Sequence, residues 1–166
     1  ATVGALAGTG AGEVIGTAAT QAFTNKNVGN VNKTVTASGL VIRDSGNADV
    51  TGNYNITYVD NTTSTIDPYA VSLTGTRSYD GTANVAASIF TLGSLVGGET
   101  LTLSGTGTVA NKNVGNAKAV TLGSLALVSG TGLASNYTFI GGTQTVNLTT
   151  ASLTLSTGNV SKTYDG

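Results

Sequence analysis

Side chains that could do chemistry are few in this 166-residue chain. Histidine and cysteine are both absent, so the sequence offers neither the base of a Ser-His-Asp triad nor an imidazole or thiolate ligand for a metal ion. Two carboxylates such as Asp80 and Glu99 could act as general acid and base, but no feature of the sequence brings them together. We therefore expect no enzymatic activity, no catalytic residues and no organic cofactor.

A calcium ion is the one cofactor that the sequence leaves open. Asp44, Asn47 and Asp49 form an oxygen-rich loop, and Ca²⁺ prefers carboxylate and carbonyl ligands. The loop lacks the regular alternation and the closing Glu of a known calcium loop. A solvated turn is therefore the favoured interpretation, and calcium binding is the alternative.

The Tyr79-Asp80-Gly81 segment also has two interpretations. Asp-Gly favours a tight turn, and the ring of Tyr79 can pack while its hydroxyl bonds to the backbone. Alternatively, Asp80 could form an isopeptide crosslink with Lys112 or Lys118, as Lys and Asp do in some surface adhesins. No sequence feature selects these partners, so the structural turn is preferred.

Short motifs recur along the chain at a nearly constant spacing of about 85 residues. This internal repetition indicates a tandem array of small modules. We assign a structural role to the residues of the recurring motifs. These residues are Tyr79, Asp80, Gly81, Asn111, Lys112, Asn113, Val114, Gly115, Asn136, Tyr137, Tyr164, Asp165 and Gly166, with earlier copies at 25–30 and 53–54.

The composition is that of an all-β protein with little charge. Charged residues make up 9% of the chain, against roughly 25% in an average soluble domain. Thr and Val suit strands, while the 24 Gly and many Asn suit turns. No apolar run approaches the ~18–20 residues of a membrane-spanning helix. The scattered Lys and Arg form no basic patch, so no nucleic-acid partner is expected.

Alternating residues predict the strands and the module boundaries. The segment 53–59 places Tyr54, Ile56 and Tyr58 on one face, so we expect a strand that is a main contributor to the core. Asp67-Pro68 marks a boundary, because Pro ends ladder pairing. The predicted modules are 1–68, lacking its initial strand, 69–150, which is complete, and 151–166, the first strand of a following module.

Each module is expected to be a small antiparallel β-sandwich of the immunoglobulin-like kind, with a β-grasp-like sheet as the alternative. Residues 1–20 show no signal peptide. If the protein is exported, its signal therefore lies outside this chain.

The order of the motifs resembles the YDG-type repeat domain of bacterial filamentous haemagglutinin-like surface proteins. The resemblance rests on Tyr-Asp-Gly at 79–81, Gly-Gly-Glu-Thr-Leu-Thr-Leu-Ser-Gly-Thr-Gly at 97–107, Asn-Lys-Asn-Val-Gly at 111–115 and Ser-Asn-Tyr-Thr at 135–138. It covers residues 77–166 almost completely, whereas residues 1–76 match less well. It implies a secreted or surface-bound bacterial adhesin or biofilm matrix protein in which these modules form the stalk.

The expected function is therefore structural: a stalk or fibre-forming repeat whose partners are neighbouring repeats, with host or matrix glycans as further partners. A carbohydrate- or calcium-binding adhesive module is the alternative. The repeat phase of the chain adds a hypothesis of head-to-tail strand complementation between identical chains, with Ser152 to Gly166 as the donor. A segment of one long continuous array is the simpler interpretation and is favoured.

Overall fold

A computed structural model describes residues 8–166 and divides the chain into two compact units, Ala1–Pro68 and Tyr69–Gly166. The described residues form strands, loops and short 3-10 helical turns, so the chain is all-β as predicted. Among them, no helix has the length and apolar character needed to cross a membrane.

The first unit contains two small antiparallel sheets. One pairs β1 with β4, and the other has the strand order β2-β3-β5. A 3-10 turn, Thr51–Asn53, lies between β4 and β5. Leu40 and Ile42 are buried. The strands are β1 (Val14–Thr17), β2 (Thr20–Phe23), β3 (Gly29–Ser38), β4 (Val41–Arg43) and β5 (Asn61–Ile66).

The predicted aromatic strand of the first unit is wrong. Residues 54–60 form no strand, and the strand of this region is instead β5. Tyr54 is half-buried, and Tyr58 is 38% exposed, so neither dominates a core. The counterpart of Tyr54, Tyr137, lies in a strand because it pairs with a neighbouring strand. No described residue of the first unit provides such a neighbour for Tyr54.

The second unit contains ten described strands. They are β6 (Tyr69–Ala70), β7 (Leu73–Ser78), β8 (Asn84–Ala86), β9 (Phe90–Leu92), β10 (Leu101–Ser104), β11 (Thr106–Val109), β12 (Gly115–Thr121), β13 (Ala126–Ser129), β14 (Tyr137–Thr138) and β15 (Gln144–Thr149). The 3-10 turns are Ala87–Ile89, Val96–Gly98 and Ala134–Asn136.

The main sheet of the second unit is mixed rather than antiparallel. Its six strands have the order β8-β11-β12-β15-β7-β9. β7 and β15 are parallel over six residue pairs, from Leu73 opposite Gln144 to Ser78 opposite Thr149. β6 and β14 form a second parallel pair, whereas β10 and β13 are antiparallel. The expectation of an antiparallel module is therefore corrected, because the first and last long strands of this unit run in the same direction.

Two apolar clusters form the core of the second unit. The larger one joins Val85, Val109, Val146 and Leu148, all at most 5% exposed. Ile89, Phe90 and Val120 are among the residues that pack against it. The smaller cluster contains Val71, Leu101 and Tyr137. Both clusters draw on strands far apart in sequence, so the core requires the whole unit.

The two units repeat one framework. The sheet β2-β3-β5 corresponds to β11-β12-β15, and the pair β1-β4 corresponds to β10-β13. Even an unusual backbone feature recurs, because Val31 and Ala117 have φ angles of 53° and 48°. The Val31 amide donates to Thr65 Oγ1 (2.9 Å), and the Ala117 amide donates to Asn147 Oδ1 (2.7 Å).

The segment 150–166 forms no strand, although one was predicted over Ser152 to Ser156. Its apolar side chains Leu153, Leu155, Val160 and Tyr164 are 91–95% exposed. An extended segment forms a ladder only beside another strand, and no described residue pairs with this one. We call residues 151–166 the tail segment.

We expect Leu148→Ala to lower the free energy of unfolding by about 2–5 kcal/mol, because it removes a buried side chain from a packed core. Ile140→Ala is the matched control. Since Ile140 is 84% exposed, its loss should change stability by no more than about 0.5 kcal/mol. Urea unfolding followed by circular dichroism measures both. Equal effects of the two substitutions would contradict the assigned core.

Candidate functional site

The Tyr79-Asp80-Gly81 motif forms a turn directly after β7. Asp80 Oδ1 accepts hydrogen bonds from the Thr82 amide (2.9 Å) and the Thr82 hydroxyl (3.0 Å), and it forms an ion pair with Arg77. Gly81 has φ +82°, which glycine adopts without strain. The Tyr79 amide donates to Thr149 O (2.8 Å) and so continues the β7–β15 pairing. The motif thus ends the first long strand and ties it to the last.

The surroundings of Asp80 favour its charged form. The Thr82 amide is the main cause that lowers the pKa of Asp80, and the Thr82 hydroxyl and the Arg77 guanidinium lower it further, while desolvation opposes them. The tyrosine ring of Tyr79 is 38% exposed. The sequence analysis expected the hydroxyl of Tyr79 to bond to the backbone, but this hydroxyl makes no hydrogen bond to a described residue.

The Asn-Lys-Asn-Val-Gly motif is a loop closed by a lysine outside it. Lys118 Nζ donates to Asn111 O (2.8 Å), Asn111 Oδ1 (2.8 Å) and Asn113 O (2.6 Å). Lys112 and Val114 point outward, and Gly115 begins β12. Lys118 therefore holds the loop through its oxygen atoms.

The first unit contains the same lysine clamp. Lys33 Nζ donates to Asn25 Oδ1, and Lys33 is 7% exposed. In both units the side-chain oxygen of the first Asn of the motif also accepts a hydrogen bond from the backbone amide of the second Asn. The donor is Asn27 in the first unit (3.0 Å) and Asn113 in the second unit (3.1 Å). Sequence analysis considered Lys118 only as a crosslink partner. The recurrence of Lys33 as Lys118 was the available signal for this second role.

A hydrogen-bonded tyrosine–glutamate pair is the second feature that both units share. The Tyr137 hydroxyl donates to Glu99 Oε2 (2.8 Å) and accepts from the Val96 amide (3.2 Å). Tyr137 is 6% exposed, and its ring packs edge-on against Tyr69 with centroids 6.1 Å apart. Asn136 ends the 3-10 turn just before it. The pair connects the loop before β10 with β14.

In the first unit, the Tyr54 hydroxyl donates to Glu13 Oε2 and accepts from the Gly10 amide (2.9 Å). The hydrogen bond to Glu13 is the main cause that raises the pKa of Tyr54. Glu13 and Glu99 occupy corresponding positions of the repeat, but nothing local connects either residue with a tyrosine about 40 positions away. Sequence analysis therefore missed the pairing.

The candidate calcium loop uses its oxygen atoms internally. Asp44 Oδ1 accepts from the Gly46 and Ala48 amides, both at 2.9 Å. Arg43 donates to Asn47 O (2.8 Å). Among the described residues, no group of three or more His, Cys, Asp or Glu could hold a metal ion.

Asp49, the third candidate ligand, also bonds within the loop. Asp49 Oδ1 accepts from the Thr51 amide at 2.9 Å. Hydrogen bonds from the side chain and the backbone of Thr51 lower the pKa of Asp49, with a smaller contribution from the charge of Arg43. A calcium ion would have to displace the amides and compete with this guanidinium.

The proposed pairs of reactive side chains are not brought together. Asp80 contacts Arg77 and Thr82, while Lys118 contacts the Asn111 loop. Glu99 contacts Tyr137 rather than Asp80. The structure therefore gives no geometry for an isopeptide between Asp80 and Lys118, or for an acid–base pair.

The second copy of the Tyr-Asp-Gly motif lies at the end of the tail segment. Asp165 Oδ2 pairs with Lys162 Nζ (2.7 Å), as Asp80 pairs with Arg77 three residues earlier. Gly166 has φ +89°, close to that of Gly81. Tyr164 is 92% exposed. The local turn thus recurs, although its strand is not paired with any described residue.

These features define an all-β module that is repeated in tandem and stabilised by recurring polar clamps. The sequence model of the YDG-domain family matches residues 61–146, which is more than half of the chain. The chain belongs to the YDG-domain family. A search of curated proteins and a search of solved structures gave no match.

The family match covers one period of the repeat. It begins with β5 and ends within β15, the counterpart of β5. The compact second unit instead begins at Tyr69. In a tandem array a sequence model can start at any phase, whereas the packing of β7 on β15 identifies the strands that close one unit.

We expect Tyr137→Phe to lower the free energy of unfolding by about 1–3 kcal/mol, because it leaves the Glu99 carboxylate and the Val96 amide without this partner. Tyr164→Phe, at an exposed site, is the control and should have little effect. Urea unfolding measures both variants. A Tyr137→Phe protein as stable as the control would contradict the structural role of the clamp.

The Asp80 turn predicts an acid-sensitive contribution to stability. Since the folded pKa lies below the ordinary value of 3.8, the contribution is fully present above about pH 3.8 and is lost as the pH falls through the lowered folded pKa. Carboxyl NMR titration should give a midpoint below 3.8 for Asp80, and Thr82→Ala should raise it. A wild-type midpoint at or above 3.8 would contradict this prediction.

Proposed function

We propose that this chain is a structural repeat, a load-bearing stalk or fibre segment of a secreted bacterial surface adhesin or extracellular matrix filament. The observation that carries the proposal is the parallel pairing of β7 with β15, the first and last long strands of the second unit. A stalk must transmit tension between the two ends of each module, and this pair lies between those ends.

The direction of the strands decides how tension acts on the ladder. A pull on the start of β7 and on the end of β15 runs along both strands in opposite directions. The six residue pairs from Leu73 to Ser78 are then sheared together rather than opened one after another. Simultaneous loading of several hydrogen bonds gives a high resistance to rupture.

The repeated clamps support the same function. In both units the clamp lysine donates to the first Asn of the loop and the tyrosine hydroxyl donates to the glutamate, so these contacts serve the module and not one particular site. The likeness of the motifs to YDG-type repeats of filamentous haemagglutinin-like proteins supports a location at the bacterial surface. Neighbouring repeats are then the main partners.

Single-molecule force spectroscopy on the full chain tests the proposal. Since the chain has no Cys, pulling handles can be attached through two engineered cysteines. Ala70→Cys with Thr149→Cys loads the β7–β15 ladder in shear, whereas Ser78→Cys with Thr149→Cys pulls at the same end of both strands and opens the ladder pair by pair. We expect a several-fold higher rupture force in the first geometry.

Equal and low rupture forces in both geometries would overturn the load-bearing function. Calorimetric titration of the full chain with calcium and a glycan array would then decide for or against the adhesive alternative. Saturable binding of calcium or of a glycan would favour the adhesive alternative. The chain would then be a binding domain rather than a stalk.

A further inference from the structure

The clamp lysine and the glycine of its motif are spaced differently in the two units. Gly29 and Lys33 are four positions apart in the sequence, whereas Gly115 and Lys118 are three positions apart. Side chains alternate between the two faces of a regular strand. In a regular strand, a spacing of three would therefore place Lys118 on the face opposite to Gly115, away from the position that Lys33 has in the first unit.

In the second unit, a β-bulge in β12 brings the lysine back to the face of its glycine. Gly115 lies opposite Leu148, and Lys118 lies opposite Val146. Residues 116 and 117 therefore oppose a single residue of β15, which is the arrangement of a β-bulge. Because of the extra residue, Lys118 and Gly115 lie on one face although they are three positions apart.

In the first unit, a longer bulge in β3 has the same result. Gly29 lies opposite Ile66, and Lys33 lies opposite Ser64. Residues 30–32 therefore oppose a single residue of β5. The additional residue of this copy is absorbed within the bulge, so that glycine and lysine lie opposite partners two positions apart in both units.

One side chain of the partner strand holds each bulge. Thr65 Oγ1 accepts the amide of Val31 (2.9 Å), and Asn147 Oδ1 accepts the amide of Ala117 (2.7 Å). Val31 and Ala117 have the φ angles of 53° and 48°, a left-handed backbone that residues other than glycine rarely adopt. Such a backbone persists only where its surroundings support it. We call Thr65 and Asn147 the bulge acceptors.

The lysine side chain runs across the glycine of its motif. A Cβ on Gly115 would lie 3.4 Å from Lys118 Cδ, and a Cβ on Gly29 would overlap Lys33 Cδ. Neither glycine has a positive φ angle. The motif therefore contains glycine to leave room for the lysine stem, and not to permit a left-handed backbone.

We propose that the bulge acceptors Thr65 and Asn147 are positioning residues for the lysine clamp. Each acceptor holds a left-handed bulge, the bulge directs the lysine across the glycine, and the lysine binds the first Asn of the loop. The loop is thus fixed by contacts that begin on a different strand, β5 or β15. Without its acceptor, the bulge returns to ordinary backbone and the lysine leaves the loop.

Lysine labelling of the full chain tests this role. The chain is treated with a trace amount of acetic anhydride, and the acetylation rate of each lysine is measured by peptide mass spectrometry. Wild-type Lys118 should react several-fold more slowly than the exposed Lys112 of the same loop, because three oxygen atoms hold its ammonium group. Asn147→Leu removes the acceptor and should raise the rate of Lys118 several-fold.

The two units supply reciprocal controls. Asn147→Leu should leave the rate of Lys33 unchanged, whereas Thr65→Val should raise the rate of Lys33 and leave that of Lys118 unchanged. Asn147→Thr introduces the hydroxyl acceptor that the first unit uses, and it should keep Lys118 slow. Thr149→Leu, on the same exposed face of β15, should have no effect on Lys118.

Glycine substitutions test the left-handed backbone itself. Ala117 and Ala119 are both exposed residues of β12, but only Ala117 has a positive φ angle. Glycine adopts positive φ without steric cost, whereas it weakens the regular part of a strand. The urea midpoint of Ala117→Gly should therefore lie above that of Ala119→Gly.

An unchanged rate of Lys118 in Asn147→Leu would overturn the positioning role, and so would an equal acceleration of Lys33 and Lys118 in either variant. Equal urea midpoints of the two glycine variants would overturn the strained bulge. Labelling is measured on a free chain without load. Failure of the stalk function in the rupture experiment would therefore leave the positioning role intact, and the reverse also holds.

Discussion

The parallel ladder between β7 and β15 is the interaction on which the second unit depends. It places β15 in the middle of the sheet, so that Val146 and Leu148 face a core covered by Val85. A slip of one residue in the register would turn both side chains to the outer face. Burial therefore fixes the register, and the register in turn fixes where the Tyr-Asp-Gly turn ends β7.

The two units share the sheet of the repeat but differ in the residues that cover its apolar face. β2-β3-β5 forms the same ladder as β11-β12-β15, with the same lysine clamp, although Phe23 and Val35 face a hollow. The hydrogen bonds and loops of this sheet thus recur in both units, although the described residues leave its apolar face more exposed in the first. The covering residues, such as Phe90, come from the part of the repeat between β7 and β10.

Sequence patterns predicted what is local and missed what depends on distant partners. The period followed from recurring residues, and the all-β class followed from composition. The alternation around Tyr54 predicted a strand, and this prediction was wrong because a strand needs a neighbouring strand to pair with. The parallel direction of β7 and β15 and the Glu99–Tyr137 pair have no local signal. Both join residues separated by tens of positions.

The closing ladder also has a consequence for the order of folding. β7 pairs with a strand about 70 residues further along the chain, so the unit has a high contact order and should fold slowly. As the chain emerges from a ribosome or a narrow pore, β7 can pair with β9, but its other edge has no partner until β15 has passed. The six-stranded sheet of the unit is therefore completed only when its last long strand is available.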